Sequence, residues 1–81
     1  MIVRVLYFAS LRDSAGSGTE TLDVPETLDI TGLWELLRNR HPGLRAVTFH
    51  PLVACDMAYA PWDTPLRGVL EVAFLPPLSG G

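Results

Sequence analysis

No lysine occurs anywhere in the 81 residues, so all six positive side chains are arginines. They are scattered without a basic stripe, and the formal net charge is −3, which argues against nucleic acid as a partner. The single cysteine, Cys55, rules out an internal disulfide. With only His41 and His50 to help it, there are too few soft ligands for a zinc site, and no metal is expected. Cys55 sits in the apolar run 51–55 and reads as a buried, inert thiol. No apolar run approaches the ~20 residues that a membrane span requires. The apolar start, Met1 to Ala9, carries Arg4 and lacks a basic leader and a small-residue cleavage pattern. A soluble cytoplasmic protein without membrane attachment is expected.

What is present is a high apolar content, 48%, in a chain short enough for one domain. Residues 2–8 are β-branched and aromatic and predict a strand with Arg4, Leu6 and Phe8 on the outer face and Val3, Val5 and Tyr7 inside. A short helical turn and a glycine-rich loop over 10–18 lead to a second strand, 19–24. From Ile30 to His41, the residues Ile30, Leu33, Trp34, Leu36 and Leu37 recur at helical spacing. Asp29 or Thr31 can cap this helix, and Pro42-Gly43 stops it. An apolar strand near 52–55, a turn at Asp56, an edge segment near 57–60 and a last strand over 69–75 complete the order β-β-α-β-β-β. One main helix across one face of a mixed sheet satisfies the layer rule. With the first and last strands as parallel central neighbours, this is an α+β fold, the ubiquitin-like β-grasp, over residues 1–75.

Residues 76–81 form a tail of different character. Pro76 and Pro77 favour extended polyproline II, at ~3 Å per residue, so the six residues can project roughly 19 Å. The tail ends in Gly80-Gly81, a backbone bare enough to thread a narrow channel in an enzyme that acts on a terminal carboxylate. The bland reading is a small domain with a floppy glycine end. At the root of the tail, Glu71, Ala73 and Leu75 share the outer face while Val72 and Phe74 point inward. Phe8, Ala73 and Leu75 would then merge into one exposed apolar patch, extended by Leu66 from the preceding turn, of the kind that docks a partner. Without lysine, no ε-amine of this fold or of a neighbouring copy can attack an activated terminus, although drift in composition is the readier explanation of the absence.

The run from Asp63-Thr64-Pro65-Leu66-Arg67-Gly68 to Glu71-Val72-Ala73-Phe74-Leu75-Pro76-Pro77-Leu78-Ser79-Gly80-Gly81 resembles the small, sulfur-carrier subunits of molybdopterin synthase. Tyr7-Phe8-Ala9-Ser10-Leu11-Arg12 is similar to that family's first strand ending, and His41-Pro42-Gly43-Leu44 to its helix exit. The resemblance implies that Gly81 is adenylated by a ubiquitin-activating-like adenylyltransferase using ATP and converted to a thiocarboxylate with sulfur from a donor protein. It then delivers sulfur to a pterin precursor in the large subunit, as part of a heterotetramer. Gly80, Phe8, Leu66, Leu75, Pro76 and Pro77 are the implied tail and docking residues. Arg12 would pair with an acidic residue of a partner, or else cap a short helix or sit solvated. This chain would bind no cofactor itself, its partners supplying the catalysis. Two departures from the family pattern are Asp56, where an Asn is usual, and Val69-Leu70, where an acidic residue usually follows the glycine. Carriers for thiamine thiazole synthesis, ubiquitin-like protein modifiers and a plain interaction module share parts of this pattern.

Overall fold

β-Branched and aromatic residues at the N-terminus form β1, Ile2–Tyr7, with Val3, Val5 and Tyr7 buried and Arg4 in water. In this computed structural model, which describes residues 1–77, β1 is followed by α1 (Ser10–Ala15), β2 (Thr19–Asp23), α2 (Ile30–Arg40) and α3 (Pro42–Arg45). The strands β3 (Leu52–Cys55), β4 (Ala58–Tyr59) and β5 (Glu71–Leu75) complete the fold. The five strands make one mixed sheet in the order β2-β1-β5-β3-β4. β1 and β5 run parallel, with Val5 opposite Val72 and Tyr7 opposite Phe74, while every other pairing is antiparallel. This is the expected β-grasp.

The amphipathic stripe of α2 supplies the lid of the core. Ile30, Leu33, Trp34 and Leu37 are buried against Val3, Val5, Leu22, Val53, Val72 and Phe74 of the sheet, with Leu36 only partly covered. Phe74 is fully buried, with Trp34 at 4.8 Å and Trp62 at 5.9 Å between ring centroids. Its burial alone contributes on the order of 1.5–3 kcal/mol. Asp29 caps α2, its Oδ1 accepting from the Gly32 N–H at 2.8 Å, whereas the Thr31 hydroxyl donates to the Trp62 carbonyl at 3.0 Å.

A polar clasp joins the end of α2 to the sheet. The Tyr7 hydroxyl donates to Glu20 Oε2 at 2.8 Å, His41 Nε2 lies 2.5 Å from the same oxygen, and Arg40 Nε lies 3.2 Å from Oε1. Burial first, and then the bond to Glu20, hold the Tyr7 phenol well above the ordinary tyrosine pKa.

Three local readings change. Pro42-Gly43 does not simply end α2: His41 takes the extended conformation favoured before proline, and Pro42 starts the further turn α3 at its first position. The last strand begins at Glu71 rather than residue 69, because Gly68, at φ +82°, turns the chain and the amides of Leu70 and Glu71 are taken by Asp56. The edge strand shrinks to two residues because Asp56 and Met57, at φ 49° and 72°, form a tight turn of the type with both central residues left-handed.

Candidate docking site

The outer sheet face carries a band of apolar side chains set by register. Leu6 lies opposite Ala73, Ala73 opposite Ala54, and Ala54 opposite Tyr59, so one row crosses four strands. The next row holds Leu75 opposite Leu52, with the Phe8 N–H donating to the Phe74 carbonyl at 3.1 Å. Two alanines in the middle of the row and large side chains around them make a concave surface. The result is a shallow groove of about 410 Å³, floored by Ala54 and Ala73 and walled by Leu6, Phe8, Met57, Tyr59 and Leu75. Phe8 is 44% exposed, Tyr59 73% and Met57 92%, which is costly surface unless something covers it.

Charge bounds the groove on one side only. Glu71 lines it, with Arg4 Nε 3.9 Å from the Glu71 carboxylate. That exposed pair adds little to stability and marks where apolar contact gives way to water. At the opposite end β5 runs out at Leu75 into half-buried Pro76 and exposed Pro77, which have no N–H to continue the ladder. Pro76 and Pro77 therefore follow directly on Leu75 at the lip of the groove.

Of the expected site residues, Phe8 and Leu75 line the groove, and Pro76 and Pro77 lie at its edge. Arg12 stands apart on α1, exposed and without an ion pair among the described residues, over a polar concavity with Asp13 and the Gly16-Ser17-Gly18 turn. Gly80 and Gly81 lie outside the described residues. Leu66 is not a surface residue. It is fully buried, because its N–H donates to the Leu28 carbonyl at 2.9 Å and the adjoining Pro65 bridges Asp29, which swings its side chain under the start of α2. Cys55 is half-buried instead of enclosed. Burial, then the neighbouring Asp56 carboxylate, push its thiol pKa up, so it is a poor nucleophile.

Tyr59, Met57 and Ala54 were not legible as site residues. Their place depends on the two-residue turn that folds β4 back on β3, and the only sequence signal was an exposed aromatic following Asp56 in an edge segment.

The sequence model of the ThiS family matches residues 5–81, from the first strand through the terminal glycine. The chain belongs to the ThiS family. Within that family it is 35% identical over 82 residues to the molybdopterin synthase sulfur carrier subunit of Homo sapiens, covering 98% of this chain and 93% of the human one. SAMP1 from Haloferax volcanii, a small archaeal modifier protein, superposes with a TM-score of 0.83 at 26% identity over 100% of both chains. A chain from the Helicobacter pylori molybdopterin-converting factor, solved as a complex of subunits 1 and 2, matches with a TM-score of 0.67 at 22% identity over 100% of both chains. This last likeness bears on the fold.

Proposed function

We propose that this ThiS-family protein is the sulfur carrier of molybdenum cofactor biosynthesis, with Gly81 as the reacting residue and the groove as the surface that positions it. The observation that supports this reading most is the placement of an exposed apolar groove at the root of the Pro76-Pro77 tail. A carboxylate is a poor acceptor until a leaving group is attached. ATP transfers its adenylyl group to the Gly81 carboxylate and releases pyrophosphate. The outer sulfur of a donor protein's cysteine persulfide then attacks the carbonyl carbon, AMP departs with the electron pair of the broken C–O bond, and a second donor thiol attacks the inner sulfur of the acyl disulfide, so that the thiocarboxylate leaves and the donor is left as a disulfide. An activating enzyme of the ubiquitin-activating type and a large subunit both need to engage the same tail, so both would dock on Phe8, Leu75 and Tyr59, in turn. The Helicobacter chain was solved in complex with its second subunit, and a like partnership, as a heterotetramer, is proposed for this chain. Pro76 and Pro77 stiffen the arm, Gly80 keeps it narrow, and Arg12 meets an acidic partner residue. The setting is cytoplasmic.

Incubation with the activating enzyme, ATP and a sulfur donor is expected to add about 16 Da to the intact chain, one oxygen exchanged for sulfur at the acyl carbon. Removing Gly81 should abolish the gain without altering the unfolding midpoint. An unchanged mass under conditions that convert the human relative would refute a sulfur role. A second reading, attachment of Gly81 to amines of target proteins, is favoured by the full-length likeness to SAMP1. Amide-linked adducts of target proteins in place of the thiocarboxylate would select it.

A further inference from the structure

The activated terminus proposed above is an electrophile carried on a protein, and every nucleophile of that protein competes for it. For an acyl adenylate, attack by an amine forms an amide, expels AMP with the electron pair of the C–O bond, and releases the amine's proton to water. For a thiocarboxylate the same attack expels hydrosulfide. The usual acceptor in such a reaction is a lysine, and this chain has none.

Within these 81 residues that leaves the amine of Met1, and the structure engages it. The Met1 ammonium sits 3.1 Å from Asp23 Oδ1 and donates to the Val24 carbonyl at 2.7 Å, with its side chain packed against the core. Attack requires an open approach to the nitrogen, and both bonds, with the packing of Met1 on the core, turn it in against the end of β2. The thiol of Cys55 is half-buried beside Asp56. Serine and threonine hydroxyls are weak nucleophiles without a paired base. Of the imidazoles, His41 is taken by Glu20, whereas His50 is exposed against Trp62, and an acyl-imidazole formed there would itself be an activated acyl group that passes on to water or to an acceptor.

We propose that the chain is a monovalent acyl carrier: its amines are missing or engaged, so the activated terminus forms stable amides only with another protein, and no carrier–carrier amide chain forms. This rests on the carrier reading above, and it adds a property that reading does not require. It identifies the permitted acceptor by chemistry, as an accessible amine or sulfur nucleophile on another protein. It also sets the stoichiometry of any conjugate at one carrier per acceptor amine.

The experiment has two arms. In the first, the full chain and Arg67→Lys are incubated with the activating enzyme and ATP without a sulfur donor, and intact mass is followed alongside ATP–pyrophosphate exchange. Arg67 is exposed and, among the described residues, pairs only with Glu26, at 2.9 Å, so the substitution retains charge and fold. Equal exchange is expected, with a species of two chains joined by loss of water appearing only for Arg67→Lys. The same species at the same rate in the unsubstituted chain, or its absence from the lysine variant despite exchange, overturns the proposal. In the second arm no activating enzyme is used. An N-hydroxysuccinimide acetyl ester is offered at neutral pH to the full chain and to Asp23→Ala, and acetylation of Met1 is timed. Asp23→Ala is expected to react several-fold faster, and equal rates overturn the claim that Met1 is engaged. Failure of exchange in the first arm counts against the carrier reading alone, because the second arm still decides whether Met1 is held.

Discussion

At the scale of single residues, Asp56 organises the groove more than any side chain that lines it. Its φ of 49° is a left-handed conformation that Asp and Asn tolerate better than other non-glycine residues. Its Oδ1 accepts from both Leu70 N, at 3.1 Å, and Glu71 N, at 2.9 Å, while its own N–H donates to the Glu71 carbonyl at 2.9 Å. One side chain thus fixes the β3–β4 turn, which carries Met57 and Tyr59, to the start of β5, which carries Ala73 and Leu75. Because one oxygen accepts both bonds, an amide oxygen can replace it, so Asp and Asn are nearly equivalent at this position. Asp56→Asn is expected to stay within about 1 kcal/mol of the unsubstituted chain, and Asp56→Ala to lose about 2 kcal/mol, from the unmade bonds and the left-handed backbone together. Asp56→Gly separates the two, relieving the backbone while leaving Leu70 and Glu71 unpaired, and should fall between. Urea unfolding at neutral pH reads the series, and an alanine variant as stable as the asparagine one would contradict this account.

At the scale of elements, the readable parts were those whose signal is periodic. The alternation of β1 placed Arg4 out and Val3, Val5 and Tyr7 in, and the stripe of α2 placed Leu33, Trp34 and Leu37 in the core. What the sequence did not reveal were features set by contacts between distant segments. Leu66 looks like a turn residue and is a core residue, because the pairing of Pro65 with Asp29 lies outside any local pattern. Gly43 looks like a helix stop, yet it sits inside α3 against α1. A Cβ there would overlap the carbonyl of Ser14, a backbone atom that cannot rotate away. Gly43→Ala is therefore expected to push α1 from α3 and to cost at least about 1–3 kcal/mol, the usual range for overpacking. Trimming the side chain with Ser14→Gly should not restore stability, since the obstruction is main chain. Thermal unfolding of the single and double variants decides it, and an unshifted midpoint for Gly43→Ala would mean the two helices are not in close contact.

At the scale of the whole molecule, the two faces of the sheet divide the work. One face is closed by α2 and holds Phe74 and Trp34 out of water, while the other keeps Phe8 and Tyr59 exposed around a floor of Ala54 and Ala73. Exposing such side chains beside the root of the tail gains nothing for folding, so their contribution has to come from a partner. Central apolar anchors in interfaces commonly cost about 2 kcal/mol or more when removed, a loss of roughly 30-fold in affinity. Leu75→Glu and Tyr59→Glu are each expected to weaken binding of the large subunit by about that factor, measured by calorimetry, while the unfolding midpoint stays near that of the unsubstituted chain. Tyr59 is the sharper test, because it is 73% exposed and remote in sequence from the tail, so its effect cannot come from the arm itself. Glu35→Arg provides the contrast: Glu35 is exposed on α2, on the far side of the domain, with Arg38 at 3.5 Å as its one partner among the described residues. If that helix substitution weakens binding as much as Tyr59→Glu does, the partner does not dock on the sheet, and the groove loses its role in presenting Gly81.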